Sequence, residues 1–249
     1  MLNTTDVGTG VPILWIHGFP LSSRTFEAQQ TIPGARHVMP DLPGFGRSEP
    51  PAGTVSIEEY ARLVIGELDR RDIDQAVFAG LSMGGYVALA ATKLAPERVK
   101  GLILIDTRET ADDDKARAGR YETIEKVRGN GVDVVADSML PKMLTAAAPA
   151  EMRERVRDIM TSSSVEGVTS ALRAMAERAD ATAVLAGVTV PLLVIAGEHD
   201  AITPPADAER MAAAVAGAKL VIVPAAAHLS NVEKPEEVNA AIEEFVRGV

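Results

Sequence analysis

The chain of 249 residues contains no cysteine. That excludes a disulfide framework, a thiol nucleophile and a thiolate metal site. Its four histidines, at positions 17, 37, 199 and 228, lack the paired spacing of a ligand set, so no metal is expected. Basic charge is in short supply: 25 Lys and Arg stand against 35 Asp and Glu, giving a net charge of -10. With no basic cluster to neutralise phosphates, a nucleic-acid partner is not expected. Long apolar runs are missing too, none approaching the ~20 residues that span a bilayer. The N-terminal Met1-Leu2-Asn3-Thr4-Thr5-Asp6 lacks the basic and apolar regions of a signal peptide. A cytoplasmic protein without membrane association is the expectation, and the sequence leaves its oligomeric state open. Aromatic residues amount to 4%, with Trp15 the sole tryptophan.

What is present is a 47% hydrophobic chain, enough for the core of one large α/β domain or two small ones. Short apolar runs bounded by Gly, Pro or Asp cover residues 11–16, 36–39, 75–79, 101–105, 191–196 and 219–223. They predict strands buried on both faces. Between them, apolar residues recur three or four apart over 57–68, 84–94, 206–215 and 238–246, predicting helices. Such alternation defines an α/β fold with a mostly parallel sheet. Roughly 80 residues between the fourth and fifth of these runs carry helical patterns at 121–127, 152–160 and 168–175 but no strand signal. They are too many for a loop and predict a helical insertion. Residues 1–106 and 186–249 would then form the core domain, and 107–185 a lid. Five of the nine methionines, including Met139 and Met143, fall in that insertion, where flexible thioethers suit either core or a substrate-facing lining. Its opening acidic tract, 109–114, is expected to be a solvated connection.

The strongest chemical signal is Gly80-Leu81-Ser82-Met83-Gly84-Gly85, lying between a predicted strand and a predicted helix. A serine on so sharp a turn projects its hydroxyl, and small neighbours avoid collision with the strand and helix. A serine hydroxyl is a weak nucleophile at neutral pH, so it needs a histidine base and a carboxylate to orient that base. Asp200, in Gly197-Glu198-His199-Asp200, and His228 both fall in loops beyond predicted strands, at the sheet edge where Ser82 lies. Glu198 is the rival acid. His199 is the rival base, although it shares the acid's own loop. The loop His17-Gly18-Phe19-Pro20 ends the first clear strand, and the backbone N–H groups of Phe19 and Met83 are the expected donors to an oxyanion. His17 would hold that loop by hydrogen bonds. The Gly-rich segment 41–48 lacks the lysine of a phosphate-binding loop and is taken as structural.

On these residues the chain resembles the α/β-hydrolase superfamily, and within it 3-oxoadipate enol-lactonases, cofactor-free haloperoxidase-like enzymes and related carboxylesterases. HGFP at 17–20, DLPGFGRS at 41–48, GLSMGG at 80–85, GEHDAITPP at 197–205 and AHLSNVEKPEE at 227–237 carry the likeness across nearly the whole chain. The resemblance implies an α/β-hydrolase fold with a helical lid inserted after the sixth strand. It implies a catalytic triad of Ser82, Asp200 and His228, an oxyanion hole at Phe19 and Met83, and ester or lactone hydrolysis without a cofactor. Perhydrolysis by the same triad, or a receptor with little turnover, are the alternatives. Two features depart from the family pattern. The chain begins close to its first clear strand, so the outer strand is in question, and the insertion has no tryptophan. Arg108, where the insertion begins, either anchors a substrate carboxylate or pairs with acidic side chains near it.

Overall fold

Seven strands form one sheet: β1 (Thr4–Gly8), β2 (Val11–Ile16), β3 (Ala35–Pro40), β4 (Ala76–Leu81), β5 (Val99–Ile105), β6 (Leu192–Gly197) and β7 (Lys219–Val223). In the computed structural model, which describes residues 1–249, their order is β1-β3-β2-β4-β5-β6-β7. All neighbours are parallel except β1, which runs antiparallel to β3. An antiparallel edge strand is therefore present, although the short N-terminus put it in question. It escapes the apolar-run criterion because Thr4-Thr5-Asp6-Val7-Gly8 is polar and half exposed. Asp6 instead pairs bidentately with Arg36 across the ladder, at 3.0 and 2.8 Å.

Side chains alternate across each central strand, as a period of two requires. Leu14, Ile16, Phe78, Leu102, Leu104 and Val194 face one apolar cluster. Ile13, Trp15, Val77, Ala79, Ile103 and Ile195 face the other. The first face is covered by α1 (Ile57–Asp69), α2 (Met83–Leu94) and α8 (Pro205–Ala213), the second by α10 (Pro235–Arg247). Helix α1 starts at Ser56, which accepts from Glu59 N while the Glu59 carboxylate accepts from Ser56 N, a reciprocal cap. Its buried Ile57, Tyr60, Ala61, Val64 and Leu68 form the stripe that the sequence spacing predicts.

Between β5 and β6 the chain forms α3 (Asp114–Asn130), α4 (Asp133–Met143), α5 (Ala150–Thr161), α6 (Val165–Ala176) and the short α7 (Thr182–Ala186). These helices leave the sheet after its fifth strand rather than its sixth, because a single edge strand precedes β2. Helices α3 and α6 contribute to the first cluster, through Val127 and Leu172 among others, and α5 contributes Val156 and Ile159 to the second. The insertion thus straddles the end of the sheet. The acidic tract is only partly the solvated connection expected, since Asp113 and Asp114 are exposed but Glu109 and the Asp112 side chain are not. Glu109 is buried against Arg210 at 2.6 Å, and Asp112 is buried between Arg120 and Arg178.

Candidate active site

The strand order reverses direction between β2 and β4, and loops at the carboxyl ends of strands flanking such a point enclose a crevice. The loop after β2 carries His17, Gly18 and Phe19, and β4 leads directly to Ser82. At Ser82 the backbone has φ 52° and ψ -116°, a left-handed conformation held between β4 and α2. Ser82 N donates to Ile105 O at 2.9 Å, while Ser82 O accepts from Gly85 N at 2.8 Å and Thr107 Oγ1 at 2.7 Å. Two glycines make room for the turn. A Cβ on Gly84 would lie 1.9 Å from Ile16 O, and one on Gly80 would lie 2.4 Å from Gly84 O.

His228 reaches the serine from the loop after β7, with its Nε2 2.9 Å from Ser82 Oγ. Its Nδ1 is 2.7 Å from Asp200 Oδ2. Asp200 also accepts from Ile202 N at 2.8 Å, Thr203 N at 2.9 Å and Thr203 Oγ1 at 2.6 Å. Burial raises the pKa of Asp200, but the His228 charge and these hydrogen bonds outweigh it and hold the carboxyl below its ordinary value. An ionised Asp200 accepts only, so His228 carries its proton on Nδ1 and Nε2 accepts from the serine hydroxyl. Glu198 and His199, the rivals, point outward with more than half of each side chain exposed.

Phe19 is buried beside this group, and Met83 begins α2, where the first-turn N–H has no intrahelical acceptor. The Phe19 loop is fixed by His17. Its Nδ1 lies 2.9 Å from Gly18 O, and its Nε2 accepts from Leu42 N at 2.9 Å. Burial pushes the His17 pKa down, consistent with the neutral tautomer that this pairing needs. The 41–48 loop in turn wraps around Asp41, which accepts from Ser23 N and Arg47 N at 2.8 and 3.0 Å. Gly44 in that loop abuts Gly167 of α6, where a side chain on either would collide with the other's backbone.

A cleft of about 240 Å³ lies between α3 and α4, lined by Phe19, Arg120, Thr123, Ser138, Met139 and Leu172 among others. Met143 is instead fully buried among the second cluster. Arg108 is engaged by the chain itself, through Ile202 O and, at 3.4 Å, Asp207 rather than the acidic tract. It borders a separate small cleft with Tyr86 and Arg178, and neither cleft includes Ser82, Asp200 or His228 in its lining. No group of three or more His, Asp or Glu side chains converges as a metal site would require, and no helix is long and apolar enough to cross a membrane.

The sequence pattern assigns no role to Asp106, Thr107, Thr203 and Ser230; Thr107 and Thr203 bond directly to Ser82 and Asp200, and Asp106 and Ser230 bond to each other close by. Asp106 is wholly buried at the end of β5 and accepts from Gly197 N at 2.8 Å, Ser230 N at 3.0 Å and Ser230 Oγ at 2.6 Å. Burial pushes its pKa up to about 7 against the pull of the His228 charge, with the Asp200 charge raising it further. Since the unfolded carboxyl titrates near 3.8, the folded state holds a proton between about pH 4 and 7 that the unfolded chain has released. The stability this group contributes is full below about pH 4 and falls as pH rises through 7, by about 4 kcal/mol at most. Asp106→Asn gives up one acceptor oxygen at every pH but is free of that slope. Its Tm deficit against wild type should shrink between pH 4.5 and 7.5 in thermal melts, and a constant deficit would refute the raised pKa.

Sheet, strained Ser82 turn and converging loops together define a hydrolase of the α/β-hydrolase fold. The chain belongs to the Alpha/beta hydrolase family, whose model matches residues 13–241. It is 31% identical over 210 residues to 3-oxoadipate enol-lactonase 2 of Acinetobacter baylyi, covering 83% of this chain and 77% of that protein. It is also 31% identical over 252 residues to a dihydrolipoyllysine-residue acetyltransferase component of an acetoin cleaving system from Pseudomonas putida. That match covers 96% of this chain, which spans only 64% of the relative's length. Among solved structures, a thermophilic esterase from Thermogutta terrifontis, with malate bound, superposes with a TM-score of 0.96 at 38% identity. There the match covers 99% of this chain and 93% of the other.

Proposed function

We propose that the protein is a serine hydrolase of small carboxylic esters or lactones, acting through an acyl-enzyme on Ser82. The observation that carries this reading is the unbroken path Ser82 Oγ, His228 Nε2, His228 Nδ1, Asp200 Oδ2, with contacts of 2.9 and 2.7 Å. Ser82 Oγ attacks the carbonyl carbon as His228 Nε2 takes its proton, and Asp200 stabilises the resulting imidazolium. The tetrahedral oxyanion is held by the N–H groups of Phe19 and Met83, with the α2 N-terminus adding its positive dipole end. His228 then gives its proton to the leaving alcohol. Water attacks the acyl-enzyme by the same base, releasing the acid and restoring Ser82.

Residues 107–185 act as the lid of this core, which comprises 1–106 and 186–249. The cleft between α3 and α4 borders Phe19, one of the two oxyanion donors in this reading, and Met139 lines it. Arg108 pairs with Asp207 and Ile202, which favours the internal ion pair over a substrate anchor. The esterase and enol-lactonase relatives support ester or lactone chemistry. The test is kcat/KM for 3-oxoadipate enol-lactone and for a short p-nitrophenyl ester in parallel, with Ser82→Ala as the blank. Turnover of either, absent from the blank, supports the reading, and a ratio above about 100, equivalent to about 2.7 kcal/mol of transition-state preference, assigns the substrate class. Turnover of both that persists in the blank would overturn it.

A further inference from the structure

A base on a loop is only as well placed as the loop. His228 lies in the short connection between β7 and α9 (Ser230–Glu233) and must keep Nε2 within hydrogen-bond reach of Ser82 Oγ. Part of that connection is tied to the core. Ala226 O accepts from His199 N at 2.8 Å, and Ser230 is held by Asp106. Both residues that flank His228, however, are fastened through bonds that lead to the helical insertion. Leu229 N donates to Met143 O at 3.0 Å. Ala227 N donates to Glu233 Oε2 at 2.7 Å, and Glu233 Oε1 accepts from Thr145 N at 2.9 Å and Thr145 Oγ1 at 2.6 Å. Thr145 is gripped from its other side by Arg153 of α5, which donates to its carbonyl.

We propose that Glu233 is a positioning residue for His228, and that it makes the turn between α4 and α5 part of the apparatus that holds the base. The carboxylate bridges the residue before His228 to Thr145, so the base stays in line with Ser82 only while the 143–145 turn is docked. This rests on the serine-hydrolase reading above. A carboxylate accepting three N–H or O–H donors is well suited to the task, because such charge-assisted bonds are short and strong. A glutamine in its place keeps the size, but its amide end turns a donor toward donors already present.

The experiment compares wild type, Glu233→Gln, Thr145→Val and the double variant. Three readouts are needed: kcat and KM on a p-nitrophenyl ester, the rate of Ser82 labelling by a fluorophosphonate, and Tm. Displacing a reacting group by about 1 Å costs on the order of 100-fold. Glu233→Gln is therefore expected to lower kcat and the labelling rate together by about 10- to 100-fold, with KM within about threefold of wild type. Thr145→Val should show a smaller reduction in the same two quantities. The double variant should be no slower than Glu233→Gln alone, since both act through one bridge. A folded Glu233→Gln with wild-type kcat and labelling overturns the proposal, as do reductions that multiply in the double variant. Should Glu233→Gln fail to fold, Thr145→Val decides alone, and its wild-type labelling rate overturns the bridge. Wild-type protein that resists the phosphonate and turns over no ester overturns the serine reading itself, which separates the two failures.

Discussion

Ser82→Ala is expected to lower kcat for an ester or lactone by about 10⁴-fold or more, and to abolish phosphonate labelling, while the fold survives. The methyl group keeps the Cβ that the nucleophile turn already accommodates, and the substitution removes just the 2.9 Å hydrogen bond to His228 Nε2. Whatever rate remains would come from the N–H groups of Phe19 and Met83 and from substrate binding. If Ser82, His228 and Asp200 act as one unit, as the proposed mechanism requires, adding His228→Ala should slow the single variant little further. Asp200→Asn should fall by a similar order, since an asparagine favours the imidazole tautomer with its proton facing the serine. Steady-state kinetics on all four proteins, with the phosphonate as an active-site titrant, makes the comparison. Retention of more than about 1% of the wild-type rate by Ser82→Ala would exclude Ser82 as nucleophile, because the mechanism leaves no route of that size.

The second large effect concerns stability. Gly84→Ala is expected to cost about 3 kcal/mol or more, toward the upper end for overpacked sites. Its Cβ would fall 1.9 Å from Ile16 O and 2.6 Å from Ile16 C, both backbone atoms of β2 that cannot rotate away. Relief would require α2 to move off the sheet, taking the N–H of Met83 with it, so activity should fall alongside. Gly119→Ala provides the opposite case. Gly119 lies inside α3 with nothing within 4 Å of an added Cβ, and the substitution should stabilise by about 0.5–1 kcal/mol. Denaturant midpoints at unchanged m-value measure both. Equal effects from the two substitutions would contradict the close approach of α2 to β2.

Much of the fold is legible in the sequence because buried parallel strands are short apolar runs. The boundaries of β2 and β7 agree with those read from periodicity, and α1, α5 and α6 differ by one to three residues at their ends. Elements without an apolar signature escape that reading. Strand β1 is held by the Asp6–Arg36 pair at an exposed edge, and α4 carries Pro141 within it and buries only Val135, Ala136 and Met143. The meeting of Ser82, His228 and Asp200 is legible because the chemistry expected of each restricts residue type, as does the strained turn that requires small residues. Its supports are not. Asp106, Thr203, Ser230 and Glu233 work by accepting or donating backbone and side-chain hydrogen bonds, which many residue types can do. Glu109 and Asp112 illustrate the reverse error. A run of acids suggests solvent, yet each is buried because arginines from distant segments, Arg210 and Arg178, meet it in three dimensions.

Trp15 lies in β2, fully buried, with its indole 4.9 Å from the Phe26 ring and its Nε1 donating to His37 Nδ1 at 3.1 Å. Burial pushes the His37 pKa down, so near neutral pH the indole faces an uncharged ring. As the chain's single tryptophan, it gives intrinsic fluorescence one origin, inside the sheet. An emission shift during denaturation therefore reports on the sheet around β2, where Trp15 is paired with Ala79 of β4 and bonded to His37 of β3. The inserted helices carry no tryptophan, so following them by light requires one placed there.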